Sequence, residues 1–159
     1  MGIELRIETP TEPQLVHDDG SDIEVYLFQA YHGEQSVGSL QVNRVRTTTN
    51  DTHRQIPLLF DRSGNSRMYQ ASLQVHTPSY DGITVENRQA YDEVVAIGTA
   101  LVSAGQTYCQ ERFGIALVAS VDLQTTTERI VWNALSHGAA RPGFVATIGT
   151  VPPIKYFNP

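Results

Sequence analysis

Lysine is nearly missing from this sequence. Lys155 is the single example, and ten arginines carry the rest of the positive charge. Against 17 Asp and Glu the formal net charge is −6. A balance of that sign disfavours phosphate backbones and anionic bilayers, so neither nucleic acid nor a membrane is an expected partner. Cysteine is as scarce: Cys109 stands alone, which excludes an internal disulfide. The five histidines, His17, His32, His53, His76 and His137, are scattered, and no Cys/His spacing suits zinc, so no metal is expected. Long apolar runs are missing too. Ile115–Ala119 is the longest, far short of the ~18 residues that suggest a spanning helix. The first 30 residues lack a basic start followed by an apolar stretch, and a reducing, cytoplasmic setting is the simplest expectation.

What remains is an ordinary globular composition, 40% hydrophobic and 18% charged over 159 residues, which suits one domain covering 1–159. Ile3, Leu5 and Ile7 alternate with Glu4, Arg6 and Glu8, the period of a half-buried strand that Pro10 ends. Thr9–Gly20, with two prolines and an Asp pair, reads as loop. Ile23–Tyr31, with Ile23, Val25, Leu27 and Gln29 expected on one face, and Ser36–Val45, with Val37, Leu40, Val42 and Val45 as apolar positions, flank the turn His32-Gly33-Glu34 and read as an antiparallel hairpin. Thr47–Asn50 reads as a polar linker, and Ile56–Phe60 as a short apolar patch before a loop. Met68–His76 is a further strand, with Ala71, Leu73 and Val75 expected on one face. From Asp92 the period turns helical: Val94, Ile97, Leu101, Ala104, Tyr108 and Cys109 form one stripe, and Gly114 sits at a C-terminal cap. Ile115–Val121 suits a strand buried on both faces. Thr125-Thr126-Thr127-Glu128 fits a capping box opening a second helix, and Phe144–Val151 suits a last strand, with Ile154–Phe157 as an edge. This order predicts an α/β or α+β fold whose mixed sheet is mostly antiparallel and twisted, with one right-handed β-α-β crossover.

Three segments carry a resemblance to a known family. Ala30–Leu40, containing His32-Gly33-Glu34 and Val37-Gly38, resembles the second and third strands of the GNAT superfamily of acyl-coenzyme-A-dependent N-acyltransferases. Leu73-Gln74-Val75-His76-Thr77-Pro78 is similar to the end of that family's fourth strand. Ala96-Ile97-Gly98-Thr99-Ala100-Leu101 is similar to the start of its coenzyme-binding helix. The likeness runs from Ile23 to Val151.

The resemblance implies a GNAT-like fold and an acyltransferase that takes acetyl-coenzyme A, or another acyl-coenzyme A, as substrate. An acetyl or acyl group would pass to an amine, on a small molecule or a protein. Ile97, Gly98, Thr99 and Ala100 would give the pyrophosphate a helix N-terminus free of bulk. Leu73, Gln74 and Val75 would bond the pantetheine arm through their backbone, beside a parted neighbouring strand. His76 would take the ammonium proton, directly or through water. The sequence departs from the family pattern at Glu93, where a basic residue is usual, at Ala96, in the length of Tyr80–Val95, and at Trp132 in place of a tyrosine acid. These departures open a second reading, a structural or interaction module whose coenzyme site has decayed. Such a module suits a particle or host-directed protein of a phage or mobile element, and an oligomer is compatible with either reading.

Overall fold

β1 (Arg6–Glu8) and β2 (Gln14–Asp18) lie end to end along one edge of β3 (Ser21–His32), both antiparallel to it. These elements come from a computed structural model that describes residues 4–76, 88–118, 131, 144–145 and 156–157. Between β1 and β2 stand Pro10 and Pro13, neither of which can donate to the ladder. The predicted loop Thr9–Gly20 is therefore corrected: its second half is strand. The physical reason is the turn. Asp19 and Gly20 alone connect β2 to β3, with φ of 47° and 82°. Positive φ at both central positions is what a type I′ hairpin needs, and Asp-Gly is among its preferred pairs.

The expected central hairpin forms and is longer than predicted, but the expected core face of its first strand is corrected. Leu27 is exposed and Ile23 and Val25 only half-buried, while Tyr26, Phe28 and Ala30 are buried, the two rings bringing the larger apolar area. β3 pairs with β4 (Gln35–Thr48) through Gly33 and Glu34, with Gly33 at φ 62°. β4 runs through Thr48, so the first half of the predicted polar linker Thr47–Asn50 is strand. Asn50 then caps a one-turn helix, α1 (Asp51–Arg54), its side chain accepting from His53 N–H at 3.1 Å. The segment after α1 places Leu58 beside Tyr69 and Val118.

β5 (Met68–Val75) pairs antiparallel with β4, and the register slips between Gln41 and Val42. The extra residue on β5 is Ala71, which is exposed, whereas Met68, Gln70, Leu73 and Val75 are buried. The expectation that Ala71 shares the core face with Leu73 and Val75 is thus corrected. A bulge inserts one residue and shifts the alternation from that point on.

α2 (Arg88–Phe113) begins before the predicted Asp92, because Arg88, Gln89 and Ala90 are good helix formers and extend the pattern toward the N-terminus. Of its predicted stripe, Val94, Ile97, Leu101, Tyr108 and Cys109 are buried, and Ala104 packs at the margin. They rest on Phe28, Ala30, Leu40, Val42, Leu73 and Val75 of the sheet. At the far end Tyr26, Phe28, Tyr108 and Phe113 cluster at centroid distances of 5.4–6.4 Å. Gly114, at φ 67°, caps the helix, its N–H donating to Gln110 C=O at 3.0 Å. β6 (Leu117–Val118) follows and pairs parallel to β5 at Met68 and Tyr69. Buried Gln106 fastens helix to strand, its Oε1 accepting from Leu117 N–H at 3.0 Å. β7 (Phe144–Val145) pairs parallel to β6, and β8 (Tyr156–Phe157) pairs antiparallel to β7.

All these strands belong to one mixed, mostly antiparallel sheet in the order β1-β3-β4-β5-β6-β7-β8, with β2 beside β3. With α2 across it, the fold is α+β. Among the described residues no helix is long and apolar enough to cross a membrane. Of the predicted second helix only Val131 is described, and it is helical and buried. Trp132 and the part of Tyr80–Val95 that precedes α2 lie outside the described residues, as do the remaining parts of the last predicted strands.

Candidate functional site

The residues expected to carry chemistry fall on the C-terminal half of β5 and the middle of α2. In β5, Leu73 and Val75 point into the core, and Gln74 is exposed. They pair with Leu40, Gly38 and Ser39 of β4, and the ladder continues as His76 N–H donates to Val37 C=O at 2.8 Å. The His76 side chain is exposed at the strand end, where the sequence placed it. Parallel pairing of β5 with β6 covers Met68 and Tyr69, and β6 is described only through Val118. The expected parting of the two strands beside Leu73–Val75 therefore lies outside the described residues.

α2 changes the picture at Gly98. The sequence put Ile97, Gly98, Thr99 and Ala100 at a helix start, but Gly98 is the eleventh residue of α2. Amides that deep in a helix belong to its internal ladder, since only the first turn leaves N–H groups free. The Thr99 hydroxyl bonds back to Val95 C=O at 2.6 Å and Ala96 C=O at 3.3 Å. Ile97 is buried against the sheet. The bare face of Gly98 is filled: a Cβ built there would lie 2.2 Å from Val131 Cγ2. The glycine serves a close approach between α2 and the element carrying Val131.

β5 and α2 do meet, over Gly38. A Cβ on Gly38 would stand 2.8 Å from Gln74 O and 3.1 Å from both Ile97 Cγ2 and Leu101 Cδ1. The two predicted halves of a coenzyme cradle are thus neighbours, joined by packed side chains at this point. Glu93, aligned with the family's basic position, lies on α2 five residues before Gly98 and is half-buried.

A second constellation escaped the sequence reading. Ser21 Oγ lies 2.7 Å from His53 Nδ1 and 2.6 Å from Thr48 Oγ1, and His53 Nε2 lies 3.7 Å from Asp19 Oδ2. Serine, histidine and aspartate in a row invite a hydrolase reading. Burial excludes it, because Ser21 has no accessible surface and its oxygen is held on both sides. The network instead locks the Asp19-Gly20 turn to the β4–α1 junction. Asn50 Nδ2 adds a bond to Asp19 C=O at 2.9 Å, and Thr49 N–H donates to Gly20 C=O at 2.9 Å. The signal was present in the Asp-Gly pair and in the capping Asn50.

An open groove of about 430 Å³, lined by Glu4, Leu5, Arg6, Tyr31, His32 and Gly33, lies at the hairpin end of β3. Arg6 stacks over the Tyr31 ring at 4.5 Å and reaches Glu8 at 3.4 Å, so its charge is already engaged. Among the described residues no group of three or more His, Cys, Asp or Glu side chains could hold a metal ion. Comparison with known proteins finds no matching family model, no matching curated protein and no matching solved structure.

Proposed function

We propose that this chain is a GNAT-like module that acts as a structural or interaction element, without turning over acyl-coenzyme A. The observation that carries the reading is Gly98 inside an unbroken helix with Val131 against it. A cradle for pyrophosphate needs unpaired amides and open space beside them. At the position that matches the family motif the amides fall within the helical ladder, and the space is occupied by a buried valine. The carboxylate of Glu93 and the tryptophan at position 132 point the same way, since neither suits the roles that the family gives those positions.

The test is titration of acetyl-coenzyme A by calorimetry, with the melting temperature followed in parallel. The expected result is no saturable heat and no shift at millimolar ligand. Bound ligand at 100 times its Kd would add ~2.7 kcal/mol of stability, a rise that would overturn the reading.

A second reading keeps the acyltransferase. It draws support from the parallel β5–β6 pair with α2 between them in the chain, the arrangement of a β-α-β crossover. In this version an uncharged amine attacks the thioester carbon. The tetrahedral intermediate collapses to the amide and coenzyme thiolate, and His76 receives the ammonium proton. The phosphates would then sit at the start of α2, near Arg88 and Gln89, rather than at Gly98. Arg88→Glu should weaken coenzyme binding at least tenfold under this version, and leave it unchanged if the phosphates sit elsewhere.

A further inference from the structure

Among the described residues, nothing pairs with the outer edge of β2. All five of its residues are exposed, including Leu15 at 58% and Val16 at 40%. It pairs with β3 on one side, and no described strand lies on the other. Proteins usually blunt such edges with lysine, proline, bulges or covering elements. β2 contains neither lysine nor proline, and Pro13 stops just short of it.

The register shows what this edge lacks. Directly paired residues share a face of the sheet, so Val16, Ile23 and Val45 form one cross-strand row. Val45 is buried, Ile23 half-buried and Val16 exposed, so the row runs from the interior to the rim and stops. The backbone is set for continuation. Across a two-residue hairpin loop the flanking pair, Asp18 and Ser21, exchanges hydrogen bonds, and such pairs alternate along the ladder. Leu15 and His17 therefore turn their N–H and C=O groups away from β3.

We propose that β2 pairs antiparallel with β2 of a second copy of this chain, about a two-fold axis through Val16. In that register Val16 faces its counterpart, and Leu15 and His17 of opposite copies exchange backbone hydrogen bonds. The apolar row becomes continuous, Val45-Ile23-Val16 meeting Val16-Ile23-Val45. Charge selects the direction. Asp18, the one carboxylate of the strand, meets the Gln14 amide of the other copy, whereas parallel pairing would set two Asp18 side chains side by side. The inference concerns the opposite edge of the sheet from β6 and holds whether or not coenzyme A binds.

Sedimentation equilibrium of the full chain between roughly 1 µM and 1 mM, the range of moderate to weak association, reads the mass directly. The mass should climb from 17.6 kDa toward twice that value. A monomer throughout would overturn the proposal. Val16→Cys tests the register. Facing residues of a pair that does not exchange hydrogen bonds have Cα atoms about 4.5 Å apart, within disulfide reach. Val16→Cys should therefore oxidise to a covalent dimer, while Gln14→Cys, which would face Asp18, should not. Native Cys109 is fully buried and does not compete. Equal cross-linking of both variants, or a dimer whose Val16→Cys form does not cross-link, would refute the stated pairing. Leu15→Pro removes an outward N–H while leaving the bonds to β3 in place, and should return the chain to monomer. A dimer surviving that change, with the fold verified by circular dichroism, would also refute it.

Discussion

Replacing Gly98 with alanine should destabilise the protein, although alanine is the better helix former. In an exposed helix interior Gly→Ala gains about 1 kcal/mol. Here the added Cβ would fall 2.2 Å from Val131 Cγ2, and 3.2 Å from Val131 Cβ and Cγ1. Contacts under 3 Å do not persist, so α2 or Val131 must move. Val131 is fully buried and β-branched, with one strongly preferred rotamer in a helix, so it has little freedom to turn aside. Overpacking of a filled core costs about 1–3 kcal/mol. Because the overlap is with a fully buried side chain, the cost falls in the upper part of that range, about 2–3 kcal/mol. The expected net loss is about 1–2 kcal/mol, a fall in Tm of roughly 2–8 °C for a chain of this size. Urea unfolding of Gly98→Ala, Val131→Ala and the double variant completes the cycle. Val131→Ala alone should cost about 2 kcal/mol by opening a cavity, and the new methyl should fill part of it. The double variant should then be more stable than the sum of the single changes by at least about 1 kcal/mol. If Gly98→Ala instead raises Tm, or the cycle closes additively, Val131 does not pack on Gly98. The space beside Gly98 would then be open to a coenzyme phosphate.

Gln106→Leu should cost about 1–3 kcal/mol, because it leaves the buried Leu117 N–H without the acceptor now at 3.0 Å; thermal melts would read it. An Asn replacement, too short to reach, should fare no better. Asp22 accepts from His17 at 2.8 Å and from Thr47 at 2.9 Å, and these bonds hold its carboxyl below the ordinary value of 3.8. With a folded-state pKa below the unfolded one, its contribution is present above the unfolded pKa and lost as pH falls through the folded one. Carboxyl NMR should show Asp22 titrating below 3.8, and Asp22→Asn should reduce the acid dependence of stability only in that low window. A shift toward higher pH would contradict the geometry.

The chain's period-two segments were the most legible part of the fold. Ile23–Tyr31 and Ser36–Val45 show as strands because one face lies against a helix, yet in Ile23–Tyr31 the aliphatic alternation Ile23-Val25-Leu27 points to the wrong face, since Tyr26, Phe28 and Ala30 are the buried ones. Ala71 was misplaced because a bulge leaves no mark in composition, only a later slip in parity. β2 was hidden for the opposite reason: with every residue exposed it has no buried face to write a pattern. Its Asp-Gly turn was the readable clue. α2 starts four residues before the predicted Asp92 because the apolar stripe begins at Val94, and the helix-forming residues Arg88, Gln89 and Ala90 leave no such stripe in the sequence. At the candidate site, the identity of Gly98 was visible but its use was not. Glycine permits a phosphate, a backbone or a valine to come near, and only the position of Val131 distinguishes them.

The two kinds of strand contact in this sheet differ in how far along the chain their partners lie. From Gln14 to Val75 neighbouring strands zip outward from reversals only a few to some twenty residues long, two of them dipeptides. Met68 and Leu117, by contrast, meet only after the whole of α2 has been laid between them. Closing so distant a contact has a larger entropic barrier than forming a hairpin, and slow steps in folding follow such separations. The antiparallel portion is therefore expected to form before the junction that Gln106 fastens, an order that φ-values at Leu40 and Leu117 would read.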